Sequence, residues 1–184
     1  MAPAKLFTIG HSTRSIEQFL GLLAREGATH LVDVRAFPVS ARHPHFSRPS
    51  LERTLIDAGL RYSHFPSLGG RRRGRRDSHN TKWRNASFRA YADYMETREF
   101  NDALEDLLGL ARLEPTVIMC AEAVPWRCHR FLISDAATAA DCAVLHILDA
   151  ATEPHHLTSF ARIDAGRVRY DGGTQSELFQ ANAR

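Results

Sequence analysis

The chain predicts one α/β domain: an open, mainly parallel, five-stranded Rossmann-like sheet with helices on both faces and a small C-terminal β extension. Three observations carry that expectation. Short apolar, β-branched runs alternate with amphipathic helical patterns from about residue 5 to about residue 150. Strands separated by helices pair in parallel, because each crossover returns the chain to the same end of the sheet. Charged and nucleophilic side chains gather directly after the strands, where open α/β sheets bind ligands. The simplest strand order is 3-2-1-4-5. The core spans about residues 5–150 and the extension about 151–184, all within a single domain over 1–184.

Leu6-Phe7-Thr8-Ile9 reads as the first buried strand, stopped by Gly10. Ser15 with Gln18 forms a capping box. Ile16, Phe19, Leu20 and Leu23 then give one apolar helix face, ended by Gly27. His30 to Arg35 is the second strand, bringing Asp33 and Arg35 to its C-terminal end. A long loop, Phe37 to Pro49, precedes a short helix that Ser50 caps, carrying Leu51, Leu55 and Ile56 and closed by Gly59. Leu60 to Phe65 is the third strand. Asn85 caps a helix carrying Phe88, Tyr91, Ala92 and Met95, and a second helix carries Phe100, Leu104, Leu107 and Leu108. Thr116 to Cys120 is the fourth strand, and a helix from about residue 131 to Ala140 leads to the fifth, Ala143 to Leu148. Arg167 to Tyr170 alternates behind Asp164-Ala165-Gly166, a hairpin pattern.

Composition narrows the function classes. Hydrophobic residues make up 43% of the 184, enough for a real core. No apolar run nears the ~20 residues of a membrane span, and the first residues lack a signal-peptide pattern, so a cytoplasmic protein without membrane association is expected. Three cysteines do not suggest a disulfide framework. Net charge is +3, yet residues 69–84 alone carry seven Arg or Lys against one Asp, leaving the remainder of the chain acidic. Such a cationic segment suits phosphate or nucleic acid. Its cations are Arg71, Arg72, Arg73, Arg75, Arg76, Lys82 and Arg84, with Tyr62 and Trp83 near its ends as stacking aromatics.

The richest stretch runs from Cys120 to Arg130. It supplies two thiols, Cys120 and Cys128, with Glu122, His129, Arg127 and Arg130. In the predicted order the loop after strand 1, with His11, Ser12 and Arg14, faces this turn, and Asp33 and Arg35 lie beside them. Three chemistries fit. Cys120, at a strand end near a helix start and arginines, suits a thiolate nucleophile, with Glu122 and His129 moving protons. A cysteine-phosphatase loop has five residues between Cys and Arg; here six separate Cys120 from Arg127 and nine separate it from Arg130. Alternatively, His11, Ser12, Arg14, Asp33, Arg35, Cys128 and Arg130 form a cradle for a small anionic, phosphate-bearing ligand without covalent chemistry. A zinc-dependent hydrolase is the third reading. Adjacent Cys128 and His129 would point ~100° apart on a helix, which works against a shared metal. No Gly-x-Gly-x-x-Gly or P-loop pattern is present, so no nucleotide cofactor is expected. Nucleic-acid association through the basic loop stands as a further alternative.

Taken together, Thr8-Ile9-Gly10-His11-Ser12, Asp33-Val34-Arg35, Leu68-Gly69-Gly70, Phe88-x-x-Tyr91-Ala92 and Cys120-Ala121-Glu122 with Cys128-His129-Arg130 resemble the bacterial family called "domain of unknown function 488", over roughly residues 6–150. The resemblance implies a cytosolic α/β protein and carries no settled activity. It marks His11, Ser12, Arg14, Asp33, Arg35, Cys120, Glu122, Cys128, His129 and Arg130 as the positions to test, and implies that the arginine-dense loop after Gly70 departs most from relatives.

Overall fold

The computed structural model describes residues 4–170. It is an α/β fold with a six-stranded sheet in the order β3-β2-β4-β1-β5-β6. The strands are β1 (Lys5–Gly10), β2 (His30–Asp33), β3 (Arg61–His64), β4 (Thr116–Cys120), β5 (Ala143–Ile147) and β6 (Thr152–Pro154). The first five pair in parallel, and β6 closes the β5 edge antiparallel. The helices are α1 (Ile16–Arg25), α2 (Arg48–Asp57), α3 (Ala86–Met95), α4 (Arg98–Leu113) and α5 (Arg130–Ala139).

The strand order corrects the expectation at one place: β4, not β1, lies next to β2. Every central strand is apolar on both faces, so the local pattern of the two candidates is the same and cannot say which sits inside. Alternation along each strand feeds two cores. Leu6, Val32, Ile118 and Val144 face α3, α4 and α5. Phe7, Ile9, Leu31, Val117 and Met119 face α1 and α2. Connections leaving β1 and β4 run in opposite directions along the sheet, so right-handed crossovers send their helices to opposite faces. The C-terminal ends of β1 and β4 therefore meet at a topological switch point, with Gly10 in register with Cys120 and Asp33 in register with Met119.

Local chemistry explains the element boundaries. Ser15 and Gln18 form the reciprocal capping box of α1, and the Asn85 side chain accepts from two backbone N–H groups at the start of α3. Helix α2 begins earlier than expected: Ser47, not Ser50, is its N-cap residue. Pro49 sits in the first turn, where a missing N–H costs nothing. Arg35 lies just past the end of β2.

The C-terminal extension is a two-stranded antiparallel hairpin, β7 (Arg162–Asp164) and β8 (Arg167–Arg169), turning through Ala165 and Gly166, both at positive φ. Residues 171–184 of that expected extension lie outside the described residues. The extension is tied to the core by a buried polar chain. Thr8 Oγ1 donates to His146 Nδ1 (2.7 Å), His146 Nε2 to His155 Nδ1 (3.0 Å), and His155 Nε2 to Asp135 (2.9 Å). Asp135 also accepts from the Thr158 backbone and hydroxyl and from the Tyr170 hydroxyl. The sequence suggests a solvent-facing loop position for His155; its side chain is instead fully buried against Asp135.

Candidate thiol and guanidinium site

Two loops make the base of the site. The His11 and Ser12 N–H groups donate to the Cys120 and Ala121 carbonyls (3.0 and 2.9 Å), which extends the β1–β4 ladder past the strand ends. Ser12 turns away at a φ of 48°. Gly10 lies where these loops meet. A Cβ there would sit 1.7 Å from the Glu122 carbonyl oxygen and 2.9 Å from Arg130 Nη1, so only glycine fits.

Arg130 opens α5 and points back under the β4 turn, 1% exposed. Its Nη1 contacts Cys120 Sγ at 2.5 Å and the Glu122 carbonyl at 2.6 Å, and Nη2 donates to the Ala123 carbonyl at 2.9 Å. Among the described residues no carboxylate lies within ion-pairing distance of it. A buried guanidinium without an anion carries a large desolvation cost. The acidic group in its reach is the Cys120 thiol. Burial alone would push that thiol up. The hydrogen bond from Cys128 and the Arg130 charge more than reverse this and bring it down to about 7.

Cys128 Sγ lies 2.7 Å from Cys120 Sγ, and burial and the neighbouring sulfur hold the Cys128 thiol well above its ordinary value. When Cys120 is ionised, Cys128 is the thiol that donates across this contact. His129 donates from Nε2 to the Val34 carbonyl at 3.1 Å, which leaves the Nδ1 lone pair facing Cys128 Sγ at 3.5 Å. Burial lowers this imidazole to about 4, so it is neutral at pH 7. Gly70 clears the space beside it: a Cβ there would lie 3.0 Å from His129 Nδ1.

The opposite wall comes from β2. Arg35 grips Asp33 through Nε (2.9 Å) and Nη2 (2.6 Å), and Asp33, fully buried, also accepts from the Tyr62 hydroxyl. Arg35 Nη1 reaches His11 Nε2 at 3.3 Å while His11 Nδ1 donates to the Ser12 carbonyl. The His11 ring stacks on Phe46 at 4.4 Å. Burial lowers His11 to about 4, which fixes it as a neutral acceptor.

Between these walls opens a cavity of about 620 Å³. Cys120, Cys128, His129, His11 and Arg35 line its depth; Arg71 and Arg127 stand at its rim beside Phe37. The structure therefore brings together most of the residues expected at the site. Arg14 is a correction: its side chain does not line the cavity but hydrogen bonds the Gly10 carbonyl and pairs with Asp149 at 2.8 Å. Ser12, too, acts through its backbone, and the Glu122 side chain is exposed, its carbonyl being the part that is used. Among the described residues no three His, Cys, Asp or Glu side chains form a metal-binding group.

The basic loop is partly neutralised within the fold. Arg72 lies 3.6 Å over the Tyr94 ring and donates to the carbonyls of Pro66, Ser67 and Gly69, and Arg75 pairs with Asp77. The expected stacking aromatics are occupied: Tyr62 by Asp33, and Trp83 by Phe88, Phe160 and Tyr170.

Comparison with known families adds one match. The sequence model of the family described as "Domain of unknown function DUF488" fits residues 15–137. The chain belongs to the DUF488 family. No curated protein and no solved structure matches it. The DUF488 match takes in Asp33, Arg35 and the whole Cys120–Arg130 turn, and starts after Gly10 and His11. The β1 half of this DUF488 site is thus supplied from outside the matched stretch.

Sequence reasoning missed three contributors to the candidate site. Gly10 was legible only as a strand stop, Tyr62 only as an aromatic near the loop, and the Val34 carbonyl carries no side-chain signal at all.

Proposed function

We propose that the cavity binds a small anionic molecule, phosphate-bearing or carboxylate-bearing, and that Cys120 attacks it as a thiolate. The observation that carries this reading is the buried Arg130 guanidinium, whose anionic partner within reach is Cys120 Sγ at 2.5 Å. An ion pair of this kind keeps a nucleophile charged inside a low-dielectric site. Arg71 and Arg127 at the rim attract the anion, and Arg35, held by Asp33, presents its remaining face to the cavity. His11 and His129 are neutral at pH 7 and serve as hydrogen-bonding groups, not as charges. Phe37 and Phe88 add an apolar wall for the body of the ligand.

Alkylation tests the reading. Cys120 should react with a pH midpoint near 7, and iodoacetate should gain on iodoacetamide relative to a free thiol. Inorganic phosphate should slow both reagents, and replacing Arg71 and Arg127 by Ala should remove the charge preference. A midpoint at or above the free-thiol value of about 8.5, or no preference for the anionic reagent, would overturn it.

The exposed Arg73, Arg76, Lys82 and Arg84 favour a second reading, nucleic-acid association through the loop. That binding would weaken steeply with salt and disappear when those four residues are neutralised, with Cys120 reactivity unchanged.

A further inference from the structure

A nucleophile in a cationic cavity does not need a second sulfur, yet Cys128 Sγ lies 2.7 Å from Cys120 Sγ and borders the same cavity. A phosphoryl or acyl group on Cys120 would leave by attack of water, with no task for a neighbouring thiol. A sulfur electrophile is different, because its adduct is released by another thiol. The two sulfurs are already in contact, close to the approach required for a bond of about 2.05 Å. The surroundings of Cys128 suit the later step. Its sulfur faces the unprotonated Nδ1 of His129 at 3.5 Å, and the Arg130 backbone N–H points at it, also at 3.5 Å. Cys142, the remaining thiol, donates to the Ala4 carbonyl and takes no part in lining the cavity.

We propose that Cys120 and Cys128 are an attacking and a resolving thiol, and that the cavity takes a small anionic disulfide, which the pair reduces. The proposal rests on the reading of Cys120 as the nucleophile and names its electrophile. In the first step the Cys120 thiolate attacks one sulfur of the substrate. A mixed disulfide forms at Cys120, and the other half leaves as a thiolate with the electron pair of the broken bond. In the second step the Cys128 sulfur, its S–H hydrogen bonded to the His129 Nδ1 lone pair, attacks Cys120 Sγ. A Cys120–Cys128 disulfide forms, and the second half of the substrate leaves as a thiol, taking up the proton that Cys128 gives up. The substrate gains two electrons and the protein dithiol loses two. An external dithiol restores the pair by the reverse exchange.

The test uses the full chain with Cys142→Ser and the anionic aromatic disulfide 5,5′-dithiobis(2-nitrobenzoate). The expected result is release of two thionitrobenzoate ions per chain, the second at a rate independent of reagent concentration. Non-reducing peptide mapping should then find residues 120 and 128 joined. With Cys128→Ser added, the chain should release one ion and keep the other half as a mixed disulfide on residue 120. With Cys120→Ser added instead, both releases should be lost. The cationic disulfide cystamine should react about tenfold more slowly than an anionic aliphatic disulfide of similar size, 3,3′-dithiodipropionate. If the chain with both thiols stops at a stable mixed disulfide, the resolving role of Cys128 is overturned while Cys120 remains a nucleophile. If Cys120 reacts neither with these disulfides nor with iodoacetate, both readings fall. Equal rates for cystamine and 3,3′-dithiodipropionate would overturn the anionic substrate.

Discussion

The missing side chain of Gly10 is filled by the backbone of Glu122: a methyl group at residue 10 would lie 1.7 Å from that carbonyl oxygen. Because the obstacle is backbone, and Arg130 Nη1 stands 2.9 Å away on the same side, no side-chain rotation relieves the clash. Gly10→Ala should therefore cost about 3 kcal/mol, read as a lower denaturation midpoint. The same displacement should raise the pH midpoint of Cys120 alkylation. A variant of unchanged stability would show that the two loops can part.

Arg130 governs the state of the thiol. Without its charge, burial is the dominant influence left on Cys120, and burial raises a thiol. Arg130→Gln should move the alkylation midpoint from about 7 to above the free-thiol value of about 8.5. Reaction with iodoacetamide at pH 7 should slow by tenfold or more, as expected from a loss of thiolate of that size. An unmoved midpoint would assign the shift to Cys128 alone.

The Asp33–Arg35 pair is a buried ion pair, and breaking one strands a charge. Asp33→Ala should destabilise the fold by about 3 kcal/mol. Tyr62→Phe removes one hydrogen bond to the same carboxylate and should cost about 1 kcal/mol. Chemical denaturation of the two variants checks the ranking; the reverse order would mean that Arg35 finds another anion.

Acid should destabilise the protein before its carboxylates titrate. Burial lowers His11 and His129 to about 4 and His146 to about 3, from an ordinary 6.5. Between those values and 6.5 the unfolded chain binds protons that the folded chain refuses. Stability is then full above pH 6.5 and falls as pH drops from 6.5 toward 3, with a slope of up to about 1.4 kcal/mol per pH unit for each histidine. Denaturation midpoints at pH 7.5, 6.0 and 5.0 should decline in that order. A flat profile across this interval would mean that the three imidazoles accept protons without unfolding.

Much of this was legible in the residues. The capping box at Ser15, the Asn85 cap and the apolar runs located the helices and strands because those signals are local. Cys120, Cys128 and Arg130 announced themselves by type and by position after a strand. The exchange of β1 and β4 was hidden because strand order is settled by packing between distant segments, and both strands carry apolar residues on both faces. Arg14 was misplaced for a related reason: its partner Asp149 lies 135 residues away, and nothing near Arg14 points to it. His155 looked like a surface residue because its acidic partner, Asp135, belongs to another element.

The central position of β1 sets the limits of any useful fragment. A chain cut to residues 15–137, the stretch that defines family membership, would lack the strand seated between β4 and β5. It would leave the ladder side of Val117 and Ile118 without its neighbour. The same cut would strip Asp135 of Thr158, Tyr170 and His155, its donors, and leave a bare anion in an apolar layer. Cloning boundaries for this protein therefore belong before Lys5 and after Tyr170, well outside the borders that sequence similarity alone would draw.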